Sequence, residues 1–193
     1  MPDLSTARTA PPLTETLGVS ALPAACRWVL RGGDDVRTLA EGVLGVPVPV
    51  QACRAGVSGE RAALWLGPDE WLLIAPTSQS DLAMRLERAL AELPHSLVEV
   101  SHRQVALRVH GPQATLLLGS GCALDLDLAA FPVGMCTRTM LAKAEVVLWR
   151  TEDAAFRLEV WRSFAPYVTQ FLGEASLGQP GRQGYRRALR TSN

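Results

Sequence analysis

Similarity between its two halves constrains this chain more than any other feature, because a repeat fixes the fold of each half once one is read. Ala63-Leu-Trp-Leu-Gly-Pro-Asp-Glu-Trp-Leu-Leu-Ile-Ala75 and Val147-Leu-Trp-Arg-Thr-Glu-Asp-Ala-Ala-Phe-Arg-Leu-Glu-Val160 both read as a strand ending in Leu-Trp, an acidic turn, and a strand led by an aromatic residue. Each is followed by a helical stretch, 80–93 in the first half and 165–175 in the second. Upstream, Trp28-Val-Leu-Arg-Gly-Gly-Asp-Asp35 and Val105-Ala-Leu-Arg-Val-His-Gly-Pro112 each run a strand into a glycine turn before another helical stretch. The order strand, helix, hairpin, helix therefore occurs twice, roughly 80 residues apart. The expected fold is α+β, two such modules with mostly antiparallel sheets, and it places Trp65 and Trp149 at equivalent strand positions.

Local patterns support these elements. Phe156, Leu158 and Val160 alternate with Arg157 and Glu159, the period of two expected of a strand with one wet face. Trp71, Leu72, Leu73 and Ile74 are apolar on both sides, as in a strand covered on both faces. Leu82, Leu86, Leu90 and Leu93 form a helical stripe that Ser80 caps and Pro94 stops. No Gly/Pro linker separates the halves around residue 100, so they are expected to share a core. The boundaries read as a flexible lead-in over 1–24, a first module over 25–100, a second over 101–178, and a basic tail over 179–193 carrying Arg182, Arg186, Arg187 and Arg190.

The charge balance argues against a nucleic-acid partner, since Lys+Arg and Asp+Glu are both 19 and no global field draws in a polyanion. No long uncharged apolar run suits a bilayer, and the lead-in lacks the basic and apolar regions of a signal peptide, so the chain reads as cytoplasmic and free of a membrane. Cys26, Cys53, Cys122 and Cys136 form no CxxC pair, and His95, His102 and His110 are irregularly spaced, which argues against a metal site and reads as ordinary packing. Neither GxGxxG nor a glycine-rich loop with lysine is present for a dinucleotide or phosphate. Cys136 or Ser101 with His102 and Asp125 would make a nucleophile set, but no elbow surrounds either nucleophile. No catalytic residue is therefore assigned.

Two features remain as candidates. Glu145 stands at the mouth of a buried-looking strand, either as a site carboxylate or as the partner of Lys143 or Arg138. Trp161 falls on the opposite face from Phe156, Leu158 and Val160, so it is expected to point outward. With Arg150, Arg162, Phe164 and Tyr167 it reads as an aromatic and arginine patch of the kind that anchors protein interfaces.

The run from Glu99 to Ala114 (Glu-Val-Ser-His-Arg-Gln-Val-Ala-Leu-Arg-Val-His-Gly-Pro-Gln-Ala) resembles the glycine-cleavage T-protein family of folate-dependent aminomethyltransferases. More specifically, Ala63 to Ile74, Phe131-Pro-Val-Gly-Met-Cys-Thr-Arg-Thr139 and Phe156 to Tyr167 resemble the gamma subunits of heterotetrameric sarcosine oxidases, across about 24–176. That resemblance implies the fold of an aminomethyltransferase folate-binding domain and a non-catalytic place in a complex that demethylates sarcosine to glycine. It implies alpha, beta and delta subunits as partners, with FAD, FMN, NAD and tetrahydrofolate held by those partners and none in this chain. The aminomethyltransferases carry two adjacent acids in a turn where this chain has Lys143-Ala144-Glu145, so only Glu145 is left as a cofactor-binding candidate. The alternative is a stand-alone folate-binding protein of the same superfamily.

Overall fold

The structure, a computed structural model, describes residues 17–177. The basic tail and the first sixteen residues of the lead-in lie outside them. Ten strands and four helices follow in the order β1 (Gly18–Ala21), β2 (Ala25–Gly32), α1 (Asp34–Leu44), β3 (Ala55–Ser58), β4 (Arg61–Gly67), β5 (Glu70–Pro76), α2 (Leu82–Leu90), β6 (His95–Glu99), β7 (Gln104–His110), α3 (Ala114–Gly119), β8 (Cys136–Leu141), β9 (Ala144–Glu152), β10 (Ala155–Trp161) and α4 (Ala165–Leu177).

The helices form where the apolar spacing demands them. Val36, Ala40 and Leu44 line one side of α1, and Gly45, with φ 66°, closes it in the left-handed conformation while its N–H donates to Glu41 O at 2.8 Å. Leu82, Leu86 and Leu90 make the matching stripe of α2, which starts at Leu82 with no side-chain cap from Asp81, so Ser80 lies one residue short of the capping position its sequence suggests. Val168 and Leu172 anchor α4.

Strands pair in two antiparallel five-stranded sheets, ordered β3-β4-β5-β2-β6 and β8-β9-β10-β7-β1. Read in this direction the two orders are the same, each module contributing its hairpin, its entry strand and the strand before the hairpin in the same places. The fifth strand differs. In the first sheet it is β6, whereas in the second it is β1, drawn from the stretch that reads in sequence as a loose lead-in. Gly18-Val-Ser-Ala21 buries only Val19 and is too short to show a period, which is why its role is invisible until β7 is in place beside it. Both hairpins carry a bulge near the turn, after Trp65 in one and beside Ala155 in the other. Matching their registers sets Leu64 with Trp149, Trp65 with Arg150 and Trp71 with Phe156. The two tryptophans Trp65 and Trp149 thus occupy equivalent strands but opposite faces, one residue out of step.

Four layers result. The α1/α2 pair packs on one face of the first sheet through Trp28, Leu30, Trp71, Leu73, Leu86 and Leu90. The α3/α4 pair covers one face of the second sheet through Leu107, Val109, Leu117, Phe156, Leu158 and Leu172. The remaining faces of the two sheets meet through Ala62, Leu64, Leu72, Ile74, Cys136, Val147 and Trp149. Backbone bonds knit the sheets at one edge, with Cys136 N–H donating to Cys53 O at 3.0 Å and Ala55 N–H to Gly134 O at 2.9 Å.

The polar face of β10 is therefore not wet. Arg157 and Glu159 point at the first sheet, where Arg27 of β2 donates through Nε to Glu159 Oε2 at 2.6 Å, with both side chains 2% exposed or less. Arg157 donates to the other oxygen, Oε1, at 2.7 Å. One carboxylate is thus shared by two guanidiniums between the sheets. Removing a single member of a buried pair costs about 3–5 kcal/mol, because the survivor is left charged in a poorly solvated place. Glu159→Gln, which strands two cations, is expected to lose about that much in urea denaturation followed by tryptophan fluorescence. Arg27→Met leaves Glu159 paired with Arg157 and is expected to lose less than half as much. Equal losses would show that the carboxylate is not shared.

Candidate functional site

Away from the knitted edge the sheets part, leaving a cleft of about 250 Å³ lined by Arg31, Glu70, Arg138, Glu145 and Trp161. Strand alternation puts all of these on inter-sheet faces. Glu70, 16% exposed, takes Arg138 at 2.6 Å and Arg31 at 3.5 Å, and Arg138 Nε in turn lies 4.0 Å from Glu145. Glu145 is half exposed and ends this chain of alternating charges. It pairs with Arg138, one of the two partners its sequence position offers.

Trp161 lies in the same cleft. The face it shares with Glu159 is turned toward the first sheet, so the side chain is half buried and not outward-pointing, and the Arg103 guanidinium stacks 3.8 Å from the ring centroid. Arg150 is placed elsewhere. Only 1% exposed, it donates to Phe131 O at 2.6 Å, Leu126 O at 3.0 Å and Thr115 Oγ1 at 3.1 Å, and covers the Phe156 ring at 4.5 Å. Burial lowers its pKa, while Asp127 and Asp153 act against that shift. It ties the long segment before β8 to the sheet and offers nothing to a partner. Arg162, Phe164 and Tyr167 do lie on the surface around the start of α4, with the two aromatic residues 41% and 37% exposed. Arg162 donates to His102 O at 2.9 Å, and the Tyr167 hydroxyl accepts from Lys143 N–H at 3.3 Å. The expected patch thus divides into a surface group of three, a half-buried tryptophan and an interior strut.

The nucleophile set does not assemble. Cys136 is fully buried between the sheets, its thiol donating to Trp65 O at 3.7 Å, and burial pushes its pKa up to about 12. Ser101 Oγ accepts from the Arg27 backbone N–H at 2.9 Å, and Asp125 closes a local turn on Asp127 N–H. No hydrogen bond joins Cys136 or Ser101 to His102 or Asp125 among the described residues. Among those residues, too, no three His, Cys, Asp or Glu gather as metal ligands, and no helix is long and apolar enough to cross a membrane. Sequence reasoning missed Arg27, Glu70 and Arg103. Arg27 in Cys26-Arg-Trp28 and Glu159 in Leu158-Glu-Val160 are opposite charges inside apolar strands, a signal that would have found the inter-sheet pair.

Comparison with known proteins bears on the whole architecture. A family model described as "Sarcosine oxidase, gamma subunit family" matches residues 34–178. The chain belongs to that family. The sarcosine oxidase subunit gamma of Corynebacterium sp. (strain P-1) is 36% identical over 160 residues, covering 82% of this chain and 74% of that one. The gamma subunit of Arthrobacter sp is 40% identical over 133 residues, covering 68% and 65%. Among solved structures, a chain of the heterotetrameric sarcosine oxidase from Corynebacterium sp. U-96, in complex with pyrrole 2-carboxylate, superposes with a TM-score of 0.81 at 27% identity over 87% of both chains. Aminomethyltransferase T of the glycine cleavage system from Bartonella henselae superposes with a TM-score of 0.61 at 14% identity, over 81% of this chain and 45% of its own. The gamma-subunit family thus shares its fold with part of an aminomethyltransferase.

The buried thiol gives a test of the site's dryness. A pKa raised from 9.0 in the open chain to about 12 in the folded one means that only the unfolded thiol ionises between those values. The stability contributed by the neutral thiol is full below about pH 9 and lost as pH rises toward 12. Urea denaturation at pH 8 and pH 10.5 is expected to show a larger loss for wild type than for Cys136→Ala. Parallel losses would mean that water reaches Cys136.

Proposed function

We propose that this chain is a non-catalytic structural subunit of a heterotetrameric sarcosine oxidase, joined to alpha, beta and delta subunits in the cytoplasm. The complex oxidatively demethylates sarcosine to glycine and passes the one-carbon unit to tetrahydrofolate. What carries the reading is the correspondence along 87% of both chains with a chain of the Corynebacterium heterotetramer. The site geometry agrees with it. The charged groups of the inter-sheet cleft are engaged with one another, and the candidate nucleophiles are locked into backbone contacts. Oxidising an amine requires a redox cofactor to take the electrons, and in this reading FAD, FMN and NAD sit with the partner subunits, as does tetrahydrofolate.

Phe164 and Tyr167 are the exposed aromatics that fit a partner, since large amphipathic rings dominate interface energies. Co-expression of the chain with the alpha, beta and delta subunits and capture on a tag of the alpha subunit is expected to retain it in one-to-one amount. Phe164→Ala with Tyr167→Ala is expected to cost about 2 kcal/mol or more of association while leaving thermal stability of the free chain nearly unchanged. Failure of the wild-type chain to be retained would overturn the assignment.

Folate binding separates the subunit reading from that of a stand-alone folate protein. Titration calorimetry with tetrahydrofolate is expected to give no saturable heat for wild type or Glu145→Gln. Micromolar binding abolished by that one substitution would make Glu145 a working site residue and sink the structural role.

A further inference from the structure

A groove of about 930 Å³ runs between the β1–β2 connection, the start of β7 and one side of α4. Its walls are mostly apolar, from Ala21, Leu22, Pro23, Ala165, Pro166 and Leu177, with Arg162 and Glu174 also on the side formed by α4 and the turn before it. Arg27 of β2 and Gln104 of β7 line it on the sheet side. Arg27 is 2% exposed, with Nε committed to Glu159 and NH1 to Ala25 O, while NH2 is buried without a partner. Gln104 Oε1 is likewise buried and unpartnered. The cluster beneath holds two guanidiniums, of Arg27 and Arg157, against the single carboxylate of Glu159, so one positive charge is left over under low-polarity walls. Such a charge acts more strongly there than it would in water.

We propose that this groove receives an apolar segment of a partner subunit bearing one acidic side chain, its carboxylate drawn to the excess charge at Arg27. The proposal rests on the assembly reading and adds the place and chemistry of one contact. The two unmet groups select the occupant. Arg27 NH2 asks for an acceptor and Gln104 Oε1 for a donor, and a polypeptide with an Asp or Glu supplies a carboxylate and a backbone N–H together. An ionised fatty acid supplies only the acceptor. The groove is also continuous with the aromatic surface of α4, since Arg162 lines it and Phe164 and Tyr167 follow within the next turns. Burying an unpaired polar group is costly unless a partner arrives, so the occupied groove satisfies what the free chain leaves open.

Binding of the full chain to a tagged complex of the alpha, beta and delta subunits of the same organism, measured by biolayer interferometry, tests the proposal. Arg27→Met removes the excess charge while Glu159 keeps Arg157, and Ala24→Trp places a bulky ring on the exposed wall of the groove. Each is expected to weaken binding at least tenfold, whereas Met84→Ala, on the exposed side of α2, stays within twofold of wild type. Hydrogen exchange is expected to slow at 21–25 and 165–177 in the complex. If wild type binds and both groove variants bind within twofold of it, the groove is not a contact. If wild type itself does not bind, the assembly reading falls first. A rise in melting temperature with millimolar dodecanoate, blocked by Ala24→Trp while assembly is untouched, would overturn the proposal in favour of a small apolar acid. Self-association of the free chain, abolished by Ala24→Trp, would overturn it in favour of a second copy.

Discussion

One carboxylate holds the two halves of this molecule in register. Glu159 belongs to the second module, yet one of its two partners, Arg27, is a strand residue of the first, and the pair lies where the two sheets face each other. Around it lie the apolar side chains of the inter-sheet layer, Leu64, Leu72, Ile74, Val147 and Trp149, and the Glu70–Arg138 pair crosses the same layer in the cleft. The hydrophobic term alone specifies register weakly, since it is non-directional and follows buried area. A charge pair with fixed geometry adds direction, because a displaced Glu159 would leave buried cations behind. Together with the backbone bonds at Cys53 and Gly134 and the Glu70–Arg138 pair, the Arg27–Glu159 pair fixes how one sheet sits on the other.

The duplication explains why such a pair is needed. Two copies of the same sheet, each covered by helices on one side, expose one face apiece, and stacking those faces buries both. Identical apolar faces would carry no information about which way round they stack. Here the copies have diverged at the face: Arg27 of one is matched in the other by Ala106, and Ile74 by Glu159, so Arg27 finds its carboxylate in the other module. The arrangement is asymmetric even though the strand orders are not.

Sequence periodicity made much of this legible. The repeated hairpins, the helical stripe at Leu82–Leu90, and the doubly covered strand Trp71–Ile74 all stand where alternation and spacing put them. What periodicity cannot distinguish is water from a second sheet on the polar face of a strand. Arg157, Glu159 and Trp161 read as solvent-facing because their partners lie far away in the chain, at Arg27 and Arg103. Arg150 failed for a related reason, since its three acceptors are supplied by the segment before β8 and by α3, where nothing in the sequence predicts convergence. Phe164 and Tyr167, read in sequence as part of an aromatic and arginine patch, do lie on the surface.

The edge strand β1 has a consequence for how the chain reaches this state. Synthesised ahead of both modules, it pairs with β7, so the earliest strand must wait for a partner that emerges after the entire first module. Contacts of such large sequence separation form late, because the loop between them must be closed before they contribute. The first module can complete its sheet as soon as β6 is made, whereas the second can never do so from its own residues. Cutting the chain between modules would leave β7 with a bare row of donors and acceptors, the kind of edge that recruits foreign strands. The two halves descend from one design but no longer form separable units: the second borrows its outer strand from the beginning of the chain, and the first is thereby threaded into the closure of its neighbour.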